Sequence, residues 1–180
     1  MIISELAGFA NDSKHQLKFI ELFNPTDKTV DLNDCNIVVY KDNSSTTDYV
    51  IPLNGSIEKD HVFLICGSYV NDNDEKSEFF KSKCDLTLTN GLDGFSARKI
   101  TQLKCGDQTI DITGKIGSKN TIKVSGDNAT NIIRQCGITV GIQNTTTELD
   151  LTKWIAKKTN VEELKSSLGT HKAVCDTPTE

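Results

Sequence analysis

The sequence predicts an all-β fold, a sandwich or barrel of short strands with one short helix near its C-terminal end. Three observations point there. Apolar runs are strand-sized, the densest being Val62-Phe63-Leu64-Ile65-Cys66. Such runs recur every ~8–12 residues with turn residues between them, the signature of a sandwich or barrel. A helical pattern with start and stop signals occurs over 161–168 alone. The 180 residues suffice for one domain. At 36 % apolar and 25 % charged, the chain is neither a disordered nor a membrane-spanning one. Twenty basic against 25 acidic residues leave a net charge of −5, which argues against nucleic acid or anionic lipid as a general partner.

Taken in order, 17–23 is a strand, with Leu17, Phe19, Glu21 and Phe23 on one side and Ile20 and Leu22 on the other. Asn24-Pro25-Thr26-Asp27 is a turn, since proline presets φ and Asn and Asp bond back to nearby backbone. Strands are expected at 30–32, 36–40 and 49–53, then at 56–57 beyond the Asn54-Gly55 turn. The continuous apolar run 62–66 reads as a strand buried on both faces. Residues 71–78 read as a polar, acidic loop. Alternation resumes at 85–89, and Asn90-Gly91 tolerates the positive φ of a tight turn. Runs 100–105 and 108–112 flank Gly106-Asp107 and form a hairpin. Further short strands are expected at 121–124, 132–136 and 138–142.

The helix at 161–168 has Asn160 as N-cap, Glu162 and Glu163 in its first turn, and Gly169 to end it. It is short and must dock on the body to persist. No linker or repeat divides the chain, so residues 1–172 form one domain with a tail at 173–180.

Six cysteines, Cys35, Cys66, Cys84, Cys105, Cys136 and Cys175, are spread over the chain without a C-x-x-C pair. Zinc-finger and thioredoxin-like readings have no support. Even number and wide spacing suit disulfides in an oxidising compartment; the alternative is six reduced, buried thiols. About 15 pairings are open. The triplet N-x-S/T occurs at Asn11, Asn43, Asn54, Asn128 and Asn144, each in a polar or turn-like stretch fit for a glycan. The N-terminus, Met1-Ile2-Ile3-Ser4-Glu5-Leu6, has no signal-peptide pattern. Either the protein is cytosolic or nuclear, or a signal has been removed; the cysteines favour the second.

Catalytic chemistry is not evident. His15, His61 and His171 lie far apart and outside any metal-ligand spacing. A nucleophilic pairing of Cys66 or Cys84 with His61 has no local support, and no nucleophile elbow, phosphate loop or H-E-x-x-H occurs. Asn71-Asp72-Asn73-Asp74-Glu75 offers oxygen ligands but lacks the glycine and terminal Glu of an EF-hand loop. Two lysine groups, Lys14 with Lys18 and Lys153 with Lys157 and Lys158, read as ordinary surface residues, since aromatic stacking platforms are few. No enzyme, cofactor or metal is expected.

The residues Ile2-Ile3-Ser4-Glu5-Leu6, Lys18-Phe19-Ile20-Glu21-Leu22-Phe23-Asn24-Pro25-Thr26 and Val30-Asp31-Leu32 resemble the lamin tail domain, an immunoglobulin-like module of nuclear lamins and of many bacterial secreted proteins. Phe63-Leu64-Ile65-Cys66-Gly67-Ser68, Asp85-Leu86-Thr87-Leu88 and Asn90-Gly91-Leu92-Asp93-Gly94 look like its later core segments. Asp111-Ile112-Thr113-Gly114, Ile132-Ile133-Arg134, Trp154 and Leu168-Gly169-Thr170-His171 are similar to bacterial members. The resemblance spans residues 2 to 172. It departs where the family has a tryptophan after "VDL" and this chain has Cys35, a thiol that can reach a partner cysteine. A second family tryptophan is missing near Ile122. The resemblance implies an immunoglobulin-like β-sandwich and leaves the activity open; the expected role is a non-enzymatic structural or adhesive module, and the cysteines point to an extracellular, disulfide-bonded protein. A fold does not fix a function. Such a module can associate with protein, its own copies included, through open sheet edges, and 2–6 can pair at home or be donated to a neighbour. The alternatives are an accessory binding domain of a larger secreted protein such as a nuclease, and an intracellular lamin-like tail.

Overall fold

The computed structural model describes residues 1–10, 16–67, 75–88, 92 and 94–175. Two antiparallel-dominated sheets pack face to face. The larger has six strands in the order β14-β13-β1-β2-β7-β8, and the smaller four, β10-β9-β4-β5. The first comprises β1 (Ile2–Ala10), β2 (Gln16–Phe23), β7 (Val62–Cys66), β8 (Leu86–Thr87), β13 (Asn131–Arg134) and β14 (Trp154–Lys157). The second comprises β4 (Cys35–Tyr40), β5 (Thr47–Pro52), β9 (Thr101–Cys105) and β10 (Gln108–Ile112). Two small ladders, β3 (Val30–Asp31) with β6 (Ser56–Ile57) and β11 (Lys123–Val124) with β12 (Asp127–Asn128), complete the strands. This is an all-β sandwich, as the periodicity predicts.

The period of two decides which layer each residue joins. Ile20 and Leu22 of β2 and Phe63 and Ile65 of β7 enter the core between the sheets. They meet Ile37 and Val39 of β4 and Leu103 of β9. Leu17, Phe19, Leu64 and Cys66 point the other way and form a second apolar cluster on the outer face of the larger sheet. That face is covered by two helices, α1 (Glu75–Lys81) through Phe80 and α2 (Val161–Ser167) through Val161 and Leu164. β7 is therefore buried on both faces, as its unbroken apolar run requires.

α2 begins as expected. The Asn160 side chain accepts from the Glu163 amide, and the Glu163 carboxylate accepts from the Asn160 amide, a complete capping box. Asn24 closes the β2–β3 turn: its Nδ2 donates to the carbonyls of Lys28 and Ile57, and its Oδ1 accepts from the Thr26 amide. The expected hairpin is β9–β10, with Gly106 at φ 55° in the turn.

Four expectations need correction. The described part of the acidic stretch 71–78 is helical from Glu75, so the described residues hold a second short α-helix besides the expected one. Residues 138–142 are irregular, because their chain presses on β10. A Cβ at Gly141 would collide with the Ile110 carbonyl oxygen, and the Ile142 amide donates to the Asp111 carboxylate. The expected strand 121–124 shrinks to Lys123–Val124. β14, which no periodicity predicts, forms an edge of the larger sheet. The 2–6 segment lies in β1, central between β13 and β2, so of its two possible roles the structure has it paired at home. The Asn90-Gly91 turn lies outside the described residues.

All six cysteines are paired, Cys35–Cys105, Cys66–Cys84 and Cys136–Cys175, with sequence separations of 70, 18 and 39. Cys35 and Cys105 oppose each other directly on β4 and β9. Cys66–Cys84 ties the end of β7 to the chain leaving α1, and Cys136–Cys175 holds the segment beyond α2 against the end of β13. Bonds of this kind persist in an oxidising environment. No helix among the described residues is long and apolar enough to cross a membrane.

Candidate functional site

The chemically unusual part of the molecule lies on the outer face of the larger sheet, under α2. A register irregularity in β1 between Ile3 and Glu5 brings Ser4 and Glu5 to the same side as Glu21 of β2. Glu5 and Glu21 are directly opposed partners in the ladder, each 1 % exposed. Two carboxyl groups thus share a dry space, where ionisation of either is opposed.

Their hydrogen bonds lead to the sheet, to α2 and to the turn that follows it. Glu5 Oε1 accepts from Asn131 Nδ2 and from Ser167 Oγ, both at 2.8 Å. Glu21 Oε1 accepts from Ser4 Oγ at 2.7 Å, and its Oε2 from the Gly169 amide at 2.6 Å. Glu5 Oε2 and Asn131 Oδ1 are buried without a partner. Burial, then the neighbouring Glu21, pushes the Glu5 carboxyl up to about 8, against the opposing pull of its hydrogen bonds and Lys157. Burial likewise raises Glu21 to about 7. Burial and the facing carboxyl thus favour the protonated form of Glu5.

His171 closes the segment. Its ring meets Phe23 edge-on, with centroids 4.8 Å apart. Burial, with a smaller contribution from the Arg134 charge, holds the imidazole down at about 4. Gly169 sits between helix and histidine at φ 78°, a left-handed conformation in which glycine carries no Cβ penalty, and this turns its amide onto Glu21. A cavity of about 490 Å³ opens beside this cluster, lined by Glu5, Ile155, Lys157, Ser167, His171 and Val174 among others.

A second polar cluster joins the sheets. Asp111 of β10 forms a fully buried ion pair with Arg134 of β13 and accepts from the Ile3 amide at 2.8 Å. Arg134 Nε donates to the Ile3 carbonyl, and its guanidinium lies 4.0 Å from the centroid of the Trp154 ring. Both main-chain groups of Ile3, at the β1 irregularity, are thereby satisfied by side chains.

The residues singled out from sequence fall elsewhere. Asn43, Asn54, Asn128 and Asn144 are all exposed, and Asn11 lies outside the described residues. His61 is exposed with Nδ1 2.8 Å from the Lys59 carbonyl, and His15 lies outside the described residues. Cys66 and Cys84 are bonded to each other, so neither offers a thiol to His61. Of the acidic 71–75 stretch, residues 71–74 are outside the described set; among the described residues no group of His, Cys, Asp and Glu could hold a metal. Lys18 is buried and Lys14 lies outside the described residues, while Lys153 pairs with Asp150 and Lys158 with Asp127. Lys18 is therefore not the surface residue expected of it.

The Glu5–Glu21 pair was missed, although one signal was present. Glu21 alternates with Leu17, Phe19 and Phe23, and a carboxyl on an apolar strand face demands a buried partner. Comparison of the chain with family models, with curated proteins and with solved structures finds no match.

Proposed function

We propose that the chain is a non-enzymatic structural or adhesive module of the lamin-tail type, secreted, which associates with further copies of itself by strand pairing at β14. The observation that carries this reading is the state of that edge. β14 ends the six-stranded sheet, and Ile155 on it is 45 % exposed beside Val174 at 77 %, both at the mouth of the same cavity. An edge strand carries unpaired main-chain donors and acceptors, and exposed apolar side chains beside it favour a second strand. β5 ends the smaller sheet, but the N-x-S/T residues Asn43 and Asn54 bracket it, and Pro52 lacks an amide proton there. Glycans at those positions would shield β5. Three disulfides support a secreted location. The Arg134–Trp154 stack and the buried carboxyl pair are bonded into the fold, which supports a structural role over a catalytic one.

The second reading, an accessory binding domain of a larger secreted protein such as a nuclease, is favoured by the cavity beside α2. The third, an intracellular lamin-like tail, requires free thiols, and the paired cysteines weigh against it. Light scattering on the unreduced, size-fractionated protein separates the first two. Self-association predicts a mass above the 19.8 kDa monomer, returned to the monomer by Ile155→Lys and unchanged by Val50→Lys. A monomer at all concentrations overturns the assembly reading and leaves the binding module.

A further inference from the structure

The segment from α2 to His171 is fastened to the sheet in an unusual way. Its apolar side, Val161, Leu164 and Leu168, rests on the outer cluster of the larger sheet. Its polar end is held by two hydrogen bonds, Ser167 Oγ to Glu5 and the Gly169 amide to Glu21. Both ends are anchored covalently or by the ladder, since β14 precedes it and Cys175 is bonded to Cys136. The segment can therefore lift as a tethered strap without the chain coming apart.

We propose that this strap is a pH-dependent latch, closed while Glu5 and Glu21 are uncharged and released when they ionise. The geometry makes the coupling. With the strap down, the two carboxyl groups face each other across one register pair and are excluded from water. With it lifted, they would be hydrated, and two charges could be borne. The cavity lined by Glu5 and Ser167 gives the proton a route to solvent without opening the sandwich.

Charged and titratable groups around the pair are few. Glu21 comes from β2 and Lys157 from β14, and Lys157 favours the ionised form of Glu5 as a lesser influence than burial. The strap and tail supply His171 and Lys172 at the cavity, and Arg134 of β13 also lines it while paired with Asp111. Ser4, Asn131, Ser167 and the Gly169 amide donate hydrogen bonds that favour the ionised forms, a pull that burial outweighs.

The sign follows from linkage. Each carboxyl holds its proton more tightly in the closed state than in the open one, so closure binds protons. The hold is complete below the ordinary carboxylate range, weakens as pH rises, and is fully lost above the values of about 7 and about 8. His171 acts in the opposite sense. Closure excludes its proton, so its contribution is present above the ordinary histidine range and is lost as pH falls towards about 4.

Amide hydrogen exchange across the strap tests the latch, with each rate corrected for its intrinsic base catalysis. Protection of the Leu168 and Gly169 amides should fall at least tenfold between pH 6 and pH 9, while that of β7 is unchanged. The double variant Glu5→Gln, Glu21→Gln removes both ionisable groups, and its strap protection should stay flat over the same range. A flat profile in the unmodified protein overturns the proposal, as does an equal fall in the double variant. Should that variant not fold, carboxyl carbon NMR of the unmodified protein decides. Glu5 and Glu21 midpoints above pH 6 uphold the latch, and midpoints in the ordinary carboxylate range overturn it.

Discussion

At the scale of single residues, the fold is held by a few polar side chains at positions where a ladder cannot run. Asp111 shows this most fully. It binds Arg134, the Ile3 amide, its neighbour Ile112 and the Ile142 amide, so one carboxylate joins β1, β10, β13 and the irregular 138–142 chain. Replacing one partner of a buried pair strands the other as an uncompensated charge. Asp111→Asn is expected to cost about 3–5 kcal/mol of unfolding free energy, measured by urea denaturation, against a change near zero for Asp107→Asn in the exposed hairpin turn. Glu5 and Glu21 represent the other case, in which burial without a counter-ion raises the pKa and favours the uncharged form.

At the scale of elements, α2 shows how a helix of seven residues persists. Its capping box satisfies the first turn, and its apolar side joins a cluster with Phe19 and Phe80. Leu164 is fully buried there, so Leu164→Ala is expected to destabilise the protein by about 2–5 kcal/mol. The same substitution at exposed Leu151 should change stability by less than ~0.5 kcal/mol. Thermal or denaturant unfolding of the two variants side by side makes the comparison.

Elements differed in how far they could be read from sequence. β2 and β7 were legible because their apolar residues alternate or run unbroken between turn signals. β14 was not, since Trp154-Ile155-Ala156-Lys157 is four residues long, follows a 3-10 turn, and earns its strand only by pairing with β13. α1 was hidden behind the acidic residues before it, and its anchor Phe80 is meaningful only once Phe19 is opposite, with ring centroids 5.1 Å apart. The 138–142 run has a strand-like pattern that lost to a local constraint, the close approach of Gly141 to β10. The carboxyl pair required the β1 irregularity, which no pattern of side-chain types announces.

At the scale of the whole molecule, the two sheets, their covering helices and the three disulfides form one account. A second apolar layer outside the sandwich explains why the larger sheet can carry apolar side chains on both faces. Two disulfides fasten parts that the ladders do not reach, the chain after α1 and the tail beyond α2, and the third reinforces the β4–β9 ladder, where a cysteine stands in place of the tryptophan that the resemblance leads one to expect. That arrangement ties the fold to an oxidising environment and, through it, to the secreted role proposed above. The most direct test is peptide mapping of the unreduced protein taken from its natural source. The expected result is three linked peptide pairs, Cys35 with Cys105, Cys66 with Cys84 and Cys136 with Cys175, and no alkylatable thiol. Free thiols at these positions, or a different pairing, would contradict both the clamped sandwich and the compartment it implies.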